Sequence, residues 1–503
     1  MEQSKFSTLL LNLKLTLLAI ALGFTTGCVT EPSALTGKST SYGYSWQQEL
    51  QLGQTSDQQI IQEMGLYQND DLARYVVEVG ERVLEECDLN STDTPEIYRE
   101  LDFKFRVMDS SVVNAFALPG GYVYVTRGLL SHLNNEAQLA VVLGHEITHV
   151  LGRHASKQAL KQQFGQIGLV AGAVISSELL ENPEIGNNIM QLGGNLFQLL
   201  TLKYGRDAER ESDSYGVDYA ALAGYDVAEA AAFFESLKRI SNRSASQIPS
   251  WMSSHPDPGE RSKTIIALAE EKRANGVNIS KKGEAEYYAK IDGLVVGEDP
   301  RQGYLSDGIF YHPEMEFQFQ LLEGWQLQND ATAVNMADVG GKSFLIFSTS
   351  VGESAQSAGQ KFALDSGGSV IADSSKRING SSAFVVEILL SDGVEPTNAY
   401  CTFIEHGDRI FSFVGLTKDV DYESLRPSFA KISNSFQKMD SGAASRVSAA
   451  RLQVVTANRT AEFESFIPQD LPSGIDALGL AIMNQVELNT VIRSGSKIKL
   501  PTL

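Results

Sequence analysis

Cysteine is scarce in this chain, with three residues in 503. That excludes a disulfide framework as the source of stability, and a chain of this length buries a core without one. Basic residues are outnumbered: 41 Lys and Arg stand against 62 Asp and Glu, for a net charge of −21. A nucleic-acid partner is excluded with them, because phosphate binding needs a basic face. Long apolar runs are lacking too. The two that stand out, Leu15 to Phe24 and Gln166 to Leu180, fall short of the roughly 20 residues a membrane-spanning helix needs. Length alone suggests two to four domains.

The first of these runs belongs to a leader. Lys5 and Lys14 precede it, and Thr25, Thr26, Gly27 and Cys28 follow. Residues 1–27 therefore read as a secretory signal peptide rather than as fold. The ending resembles a bacterial lipobox, in which the cysteine becomes the lipidated first residue. Thr25 stands where that pattern usually has leucine, and an ordinary signal peptide with an incidental cysteine is the alternative. By the same resemblance, Val29 after the cysteine, rather than aspartate, points to the outer membrane. Residues 28–45 are rich in Ser, Thr and Gly, as a flexible tether would be. Lipidation would use Cys28, leaving Cys87 and Cys401 far apart in sequence.

What the sequence does have is concentrated in Asn134 to His154, NNEAQLAVVLGHEITHVLGRH. Leu139, Val142, Leu143, Ile147, Val150 and Leu151 recur at the spacing of one buried helix face. Asn134 or Asn135 can cap the start, with Glu136 in the first turn. Inside lies His145-Glu146-Ile147-Thr148-His149. Histidines four apart project from one side of a helix and can bind one zinc ion, with the glutamate between them polarising a water. Two structural histidines on an amphipathic helix are the plain alternative. Yet polar groups in an apolar helix must find partners.

Ahead of this helix, Asp102 to Met108 alternates as a strand. Asn114 to Leu118 and Tyr122 to Thr126 form a hairpin around Pro119-Gly120-Gly121. Its outer strand, with Asn114, Ala115 and Phe116, can pair with an extended peptide, or can be plain sheet. Trp46 to Met64 and Asp70 to Cys87 read as helices. After His154, Gln166 to Leu180 and Asn187 to Leu202 read as helices packed beside the site, with a membrane-facing or lid element as the alternative.

A site built from two histidines needs a third protein ligand, usually from a second helix. Tyr204 to Gly216 offers Glu209 and Asp213, four apart and so on one face. Glu209 can reach the metal and Asp213 can hydrogen-bond a ligating histidine from behind. Glu211 points elsewhere. A charged helix is usually a solvated face; together with the HEITH helix, the ligand reading prevails.

These residues carry a resemblance. H-E-x-x-H followed about sixty residues later by E-x-x-x-D resembles the HtpX-like gluzincin metallopeptidases, in particular the soluble periplasmic BepA-type branch. Asn114-Ala-Phe-Ala with Pro119-Gly-Gly, Gly152-Arg153-His154, Arg206 three residues before Glu209, and Ser254-His255-Pro256-Asp257-Pro258-Gly259-Glu260-Arg261 resemble further elements of that family. The resemblance covers about half the chain. One departure is plain: BepA-type proteins carry tetratricopeptide repeats after the protease, and none is found here.

The resemblance implies zinc, one ion per chain, held by His145, His149 and Glu209, with Glu146 as general base and then acid. Asp213 and Arg261 would hold the site from behind. His255 is the candidate oxyanion donor. In BepA-type relatives the matching histidine can instead bind zinc as a fourth ligand and keep the enzyme inactive, so two roles stay open. His132, His154, His312 and His406 lack motif partners and read as surface or packing residues.

Beyond Lys281 to Asp299, a charged connection, Phe310 to Leu322, Lys342 to Thr349, Ala383 to Leu390, Asn398 to Ile404 and Ile410 to Leu416 read as strands, and Asp421 to Phe436 as a closing helix. The expected organisation is multidomain α+β. A mainly helical gluzincin domain with a small sheet covers 46–290. An antiparallel-sheet domain, 300–440, weakly resembles the Mog/PsbP-like fold. After a small-residue linker, 451–503 resembles a LysM-like module, which would bind peptidoglycan or serve as a structural cap.

The expected protein is a zinc endopeptidase in the bacterial cell envelope. It faces the periplasm, lipid-anchored at Cys28 to the outer membrane, and acts on unfolded or misassembled envelope proteins. The rival is a latent protease working mainly as a chaperone or a peptidoglycan-associated scaffold for outer-membrane assembly.

Overall fold

The computed structural model describes residues 29–502 except 88, 90–93, 100, 162–203, 244–254, 256–257, 330–332, 391–395, 440–447 and 473. The leader, Cys28, the helices expected within 166–202, the linker after 440, and Ser254, Pro256 and Asp257 lie outside the described residues. Among the described residues no helix is long and apolar enough to cross a membrane.

The first described segment is built, not loose. β1 (Val29–Pro32) pairs antiparallel with β2 (Ser39–Tyr42). Ala34, Leu35 and Trp46 sink into the main core. Tyr98 Oη donates to the Pro32 carbonyl at 2.7 Å. Expected as a tether, residues 29–45 thus pack as part of the first domain, because three of their apolar side chains (Ala34, Leu35, Tyr42) are enough to dock them.

α1 (Trp46–Met64) starts with a capping box between Ser45 and Gln48. α2 (Asp70–Glu85) is capped by Asn69 and buries Leu72, Tyr75, Val76, Val79 and Val83. β3 (Lys104–Met108), β4 (Ala115–Leu118) and β5 (Tyr122–Thr126) make a three-stranded sheet in the order β3-β5-β4, with β4 antiparallel and β3 parallel to β5. The Thr126 hydroxyl then caps α3 (Arg127–His132).

α4 (Glu136–Leu151) is the helix that carries HEITH. Asn135 caps it by accepting from the Gln138 amide at 3.0 Å. All sixteen of its residues are buried, not one face alone. The reason is its position, surrounded by α2, β4, β5, α5 (Arg206–Leu222), α6 (Ala230–Arg243) and α8 (Glu284–Ile291). Its polar residues find partners accordingly. Glu136, fully buried, accepts from Tyr75 Oη at 2.7 Å, Tyr225 Oη at 2.6 Å and Arg82 Nη1 at 2.6 Å, and pairs with Lys281 Nζ at 2.6 Å. α4 and α5 cross where Gly144 meets Gly216: a Cβ on Gly144 would stand 2.6 Å from the Gly216 carbonyl oxygen. α7 (Pro258–Ala274) packs on α5 and α6.

The next domain is multistranded. One four-stranded sheet contains β6 (Tyr304–Ser306), β7 (Ile309–His312), β8 (Phe317–Gln320) and, from the far end, β16 (Gln437–Lys438). The other, antiparallel throughout, contains β9 (Trp325–Asn329), β10 (Ala333–Asp338), β11 (Ser343–Ser350), β12 (Ser369–Ile378), β13 (Ser381–Leu390), β14 (Thr397–His406) and β15 (Arg409–Lys418). Its order is β12-β13-β14-β15-β11-β10-β9. α9 (Ala355–Asp365) and α10 (Asp419–Asn434) complete it, with separate apolar clusters around them. Cys401 is buried here and Cys87 in the first domain, and neither forms a disulfide among the described residues.

This domain is an insertion. The Gly293 amide donates to the Leu452 carbonyl, Leu452 to Leu294, and Val296 to Ala450, at 2.7 to 2.9 Å, so the outgoing and returning chains lie side by side. The last segment then closes back on the first domain. β17 (Arg451–Thr456) pairs with β20 (Lys497–Thr502), and β18 (Ala461–Glu462) with β19 (Val491–Ile492), flanking α11 (Ala477–Met483). Leu452, Phe463, Leu480, Ala481 and Ile498 belong to the same apolar cluster as α4. Fully buried Lys499 donates from Nζ to the Ser131 and Leu133 carbonyls at 2.7 and 2.9 Å, at the entry to α4.

Candidate metal centre

His145 and His149 sit one turn apart on α4, as their spacing requires. The crossing at Gly144 and Gly216 brings α5 close enough for Glu209 to meet them. His149 Nε2 lies 2.9 Å from His145 Nε2 and 3.5 Å from Glu209 Oε1, and His145 Nε2 lies 3.6 Å from Glu209 Oε2. His255 joins from the segment before α7, its Nδ1 at 3.0 and 3.1 Å from the Glu209 oxygens and 3.3 Å from His145 Nε2. One donor atom from each of the four lies within 4.8 Å of all the others, and all four residues are buried.

The donor set fits zinc. Ligands of a tetrahedral zinc at 2.0–2.1 Å stand about 3.3 Å from one another, the spacing that recurs in this cluster. Two imidazoles and a carboxylate are the usual donors. Glu146, also fully buried, has no hydrogen-bond partner for either carboxylate oxygen among the described residues. Such a group needs a partner that binding would bring.

Electrostatics follow from burial. Burial, and next the Arg261 charge, lower the His145 pKa to about 4; burial and the neighbouring histidines hold His149 well below its ordinary value. Both are thereby neutral, the form in which imidazole binds metal. Burial raises Glu146 to about 7, against the pull of His255. For Glu209 burial acts upward, but His255, His145 and Arg261 together outweigh it and keep the carboxylate below its ordinary range.

Asp213 and Arg261 stand behind His145. His145 Nδ1 donates to Asp213 Oδ1 at 2.9 Å, and Arg261 grips the same carboxylate through Nη2 at 2.6 Å and Nε at 2.9 Å. Burial would raise Asp213; Arg261 and then His145 hold it far below the carboxylate range. Arg261 also lies over the Phe234 ring at 4.3 Å.

β4 packs on α4 and pairs only with β5 among the described residues, so it forms an edge of its sheet. Asn114, Ala115 and Phe116 are buried there, and the Asn114 amide donates to Thr126 Oγ1.

Three features escaped the sequence reading. Tyr204 stacks on His149, ring centroids 4.1 Å apart. His154, expected on the surface or in packing, is buried with Nδ1 2.9 Å from His149 Nδ1. Glu211 points away from the four converging donors, as expected, but it is not merely solvated: its Oε2 lies 2.8 Å from His154 Nε2. The only signal was the sequence Gly152-Arg153-His154 at the helix end, where glycine and a left-handed Arg153 (φ 51°) turn the chain back.

Residues 72–269 match the model described as Peptidase family M48, whose members use zinc. A curated relative is the mitochondrial metalloendopeptidase OMA1 of Bos taurus, 32% identical over 205 residues, covering 39% of this chain and 37% of that protein. Another is the beta-barrel assembly-enhancing protease of Escherichia coli (strain K12), 29% identical over 311 residues, covering 60% of each. The chain thus spans less than two thirds of either relative. Among solved structures, cyanobacterial PsbP from Synechocystis aligns with a TM-score of 0.23 at 14% identity, covering 26% of this chain and 91% of that one.

Proposed function

Taking residues 72–269 as a peptidase family M48 domain, we propose that this chain is a zinc-dependent endopeptidase that cleaves unfolded or misassembled proteins of the bacterial cell envelope. One observation carries the reading. Buried donors of His145, His149, Glu209 and His255 converge within 4.8 Å, and beside them stands the Glu146 carboxylate, which has no hydrogen-bond partner among the described residues.

His145, His149 and Glu209 are the residues that would hold the metal. Zinc there supplies Lewis-acid polarisation of a carbonyl and acidification of water. Glu146 takes the proton of the attacking water and returns it to the departing amine. Burial lifts its pKa above the ordinary carboxylate range in the metal-free protein, the direction that lets it hold and return a proton. Asp213, gripped by Arg261, keeps His145 turned toward the cluster with its Nδ1 protonated. Asn114, Ala115 and Phe116, on the sheet edge, align an extended substrate by strand addition.

A second reading concerns the resting state. His255 Nδ1 completes a set of four donors, the closed kind of site that structural zinc prefers, whereas a catalytic site keeps one position open. Its Nε2 is also 3.6 Å from Glu146 Oε1. In this reading the enzyme is latent until His255 swings aside, and it works between times as a chaperone or a peptidoglycan-associated scaffold through 451–503. Lipidation at Cys28 would hold it at the outer membrane, facing the periplasm.

The test is the purified chain on an unfolded protein, with and without chelator. Glu146→Gln keeps zinc and loses turnover; Glu209→Ala loses zinc. Full zinc in Glu209→Ala rejects the ligand set. His255→Ala with higher basal activity supports latency; a dead His255→Ala enzyme with full zinc leaves only an oxyanion role.

A further inference from the structure

His145 and His149 face the same cluster, yet they are backed very differently. Behind His145 is a buried carboxylate. Behind His149 is another histidine. We propose that His154 and Glu211 form a positioning chain that fixes the tautomer and ring orientation of His149. The proposal rests on the reading of His149 as a metal ligand.

The tautomers follow from three contacts. Glu211 Oε2 lies 2.8 Å from His154 Nε2, and a carboxylate only accepts, so His154 Nε2 carries its proton. His154 is 2% exposed, and burial favours the neutral ring, which then presents a lone pair at Nδ1. His149 Nδ1, 2.9 Å away, must donate to it. That leaves the lone pair of His149 at Nε2, the atom that lies 2.9 Å from His145 Nε2 and 3.5 Å from Glu209 Oε1. The other His149 tautomer would set two lone pairs against each other with nothing to bind between them, whereas the lone pairs at His149 Nε2 and His145 Nε2 converge where a metal would sit. Tyr204 stacked on the His149 ring at 4.1 Å restrains tilt, and the His154 contact restrains rotation about the ring axis.

The chain is built to keep His154 there. A Cβ on Gly152 would meet His154 Nε2 at 2.4 Å, so the ring needs a glycine beneath it. Arg153 takes φ 51° and turns the backbone so that His154 reaches back to α4. Its buried guanidinium is fixed by Glu49 Oε1 at 2.7 Å and the Tyr44 carbonyl at 2.7 Å, and it lies 3.7 Å from the Tyr42 ring centroid. Glu211 is itself held by Lys157 at 3.5 Å.

The experiment uses the full chain and two readouts: zinc affinity by competition with a chelator, and the thermal midpoint of the metal-free protein. His154→Phe keeps the ring and removes the acceptor. Zinc affinity is expected to fall roughly 10–100-fold. His154→Gln returns an acceptor oxygen and is expected to recover most of the loss. Glu211→Ala, at a half-exposed site, is expected to fold normally and weaken zinc in the same direction, less than additively with His154→Phe. A packing role alone would lower the metal-free midpoint and leave zinc affinity untouched. Wild-type affinity in His154→Phe or in Glu211→Ala overturns the proposal, provided Glu209→Ala still loses zinc. Wild-type zinc in Glu209→Ala would instead show that the ligand set is wrong.

Discussion

Replacing Gly216 by alanine tests what brings the two ligand-bearing helices together. A Cβ there would lie 2.6 Å from the His145 amide nitrogen and 2.7 Å from the Gly144 carbonyl carbon. Both are backbone atoms and cannot rotate away. Ordinary contact needs about 3.5 Å, so α4 and α5 must part by about 0.9 Å. Overpacking of this kind costs about 1–3 kcal/mol. Alanine returns about 1 kcal/mol of helix propensity, so the metal-free protein should lose only about 0–2 kcal/mol. Zinc should suffer more. Glu209 rides on α5 and both histidines on α4, and metal-ligand distances tolerate about 0.2 Å. A shift several times larger should weaken zinc at least tenfold, or about 1.4 kcal/mol. Chelator competition measures the affinity and thermal melting the stability. Wild-type zinc affinity in a folded Gly216→Ala protein would refute the idea that this crossing sets the ligand geometry.

Two further outcomes lie away from the metal. His312 is buried, its Nδ1 accepts from the Met315 amide at 3.2 Å, and burial lowers its pKa to about 4. The unfolded chain takes up its proton near pH 6.5 while the native chain resists until about 4, so stability should fall across that window as pH drops, by at most about 3 kcal/mol. His312→Gln should flatten the pH dependence of melting of the inserted domain, and an unchanged slope would count against it. Lys499→Met should leave the Ser131 and Leu133 carbonyls without their buried donor. A loss of about 1–3 kcal/mol is expected, read as a lower midpoint for the unfolding of the first domain together with 451–502; a midpoint unchanged in urea would contradict it.

The candidate ligands were legible because their chemistry is written in helical spacing. His145 with His149, and Glu209 with Asp213, are four apart, and the helix makes each pair one face. A cap at Asn134 or Asn135, of which the structure uses Asn135, and Glu136 in the first turn were legible for the same local reason, although nothing local tells that Glu136 gathers two tyrosines, an arginine and a lysine. His154 was not legible. It lies five residues past His149, and its approach depends on a left-handed Arg153 whose cage comes from Glu31, residues 42–49 and Tyr98, far back in the chain. Glu211 on a charged helix looks solvated until His154 is placed beside it. β12 was missed because most of its side chains are exposed and polar, so no alternation betrays it.

The long-range plan was the least legible, and it bears most on function. The chain leaves the first domain near Val296 and returns at Ala450, beside its own exit. No periodicity encodes such a return; only the pairing of 293–296 with 450–452 makes it. Its consequence is an asymmetry. The inserted domain has its own apolar clusters, whereas 451–502 shares the core of α4 and grips the entry to that helix through Lys499, Asn484 and Gln485. Deforming the last segment therefore strains the start of the helix that carries His145, Glu146 and His149. Deforming the inserted domain strains the two-chain junction and the hydrogen bond from Gln302 Nε2 to Asp109, neither of which lies on α4. Of the two regions that follow the first domain, the last is the one whose packing bears directly on the candidate metal centre.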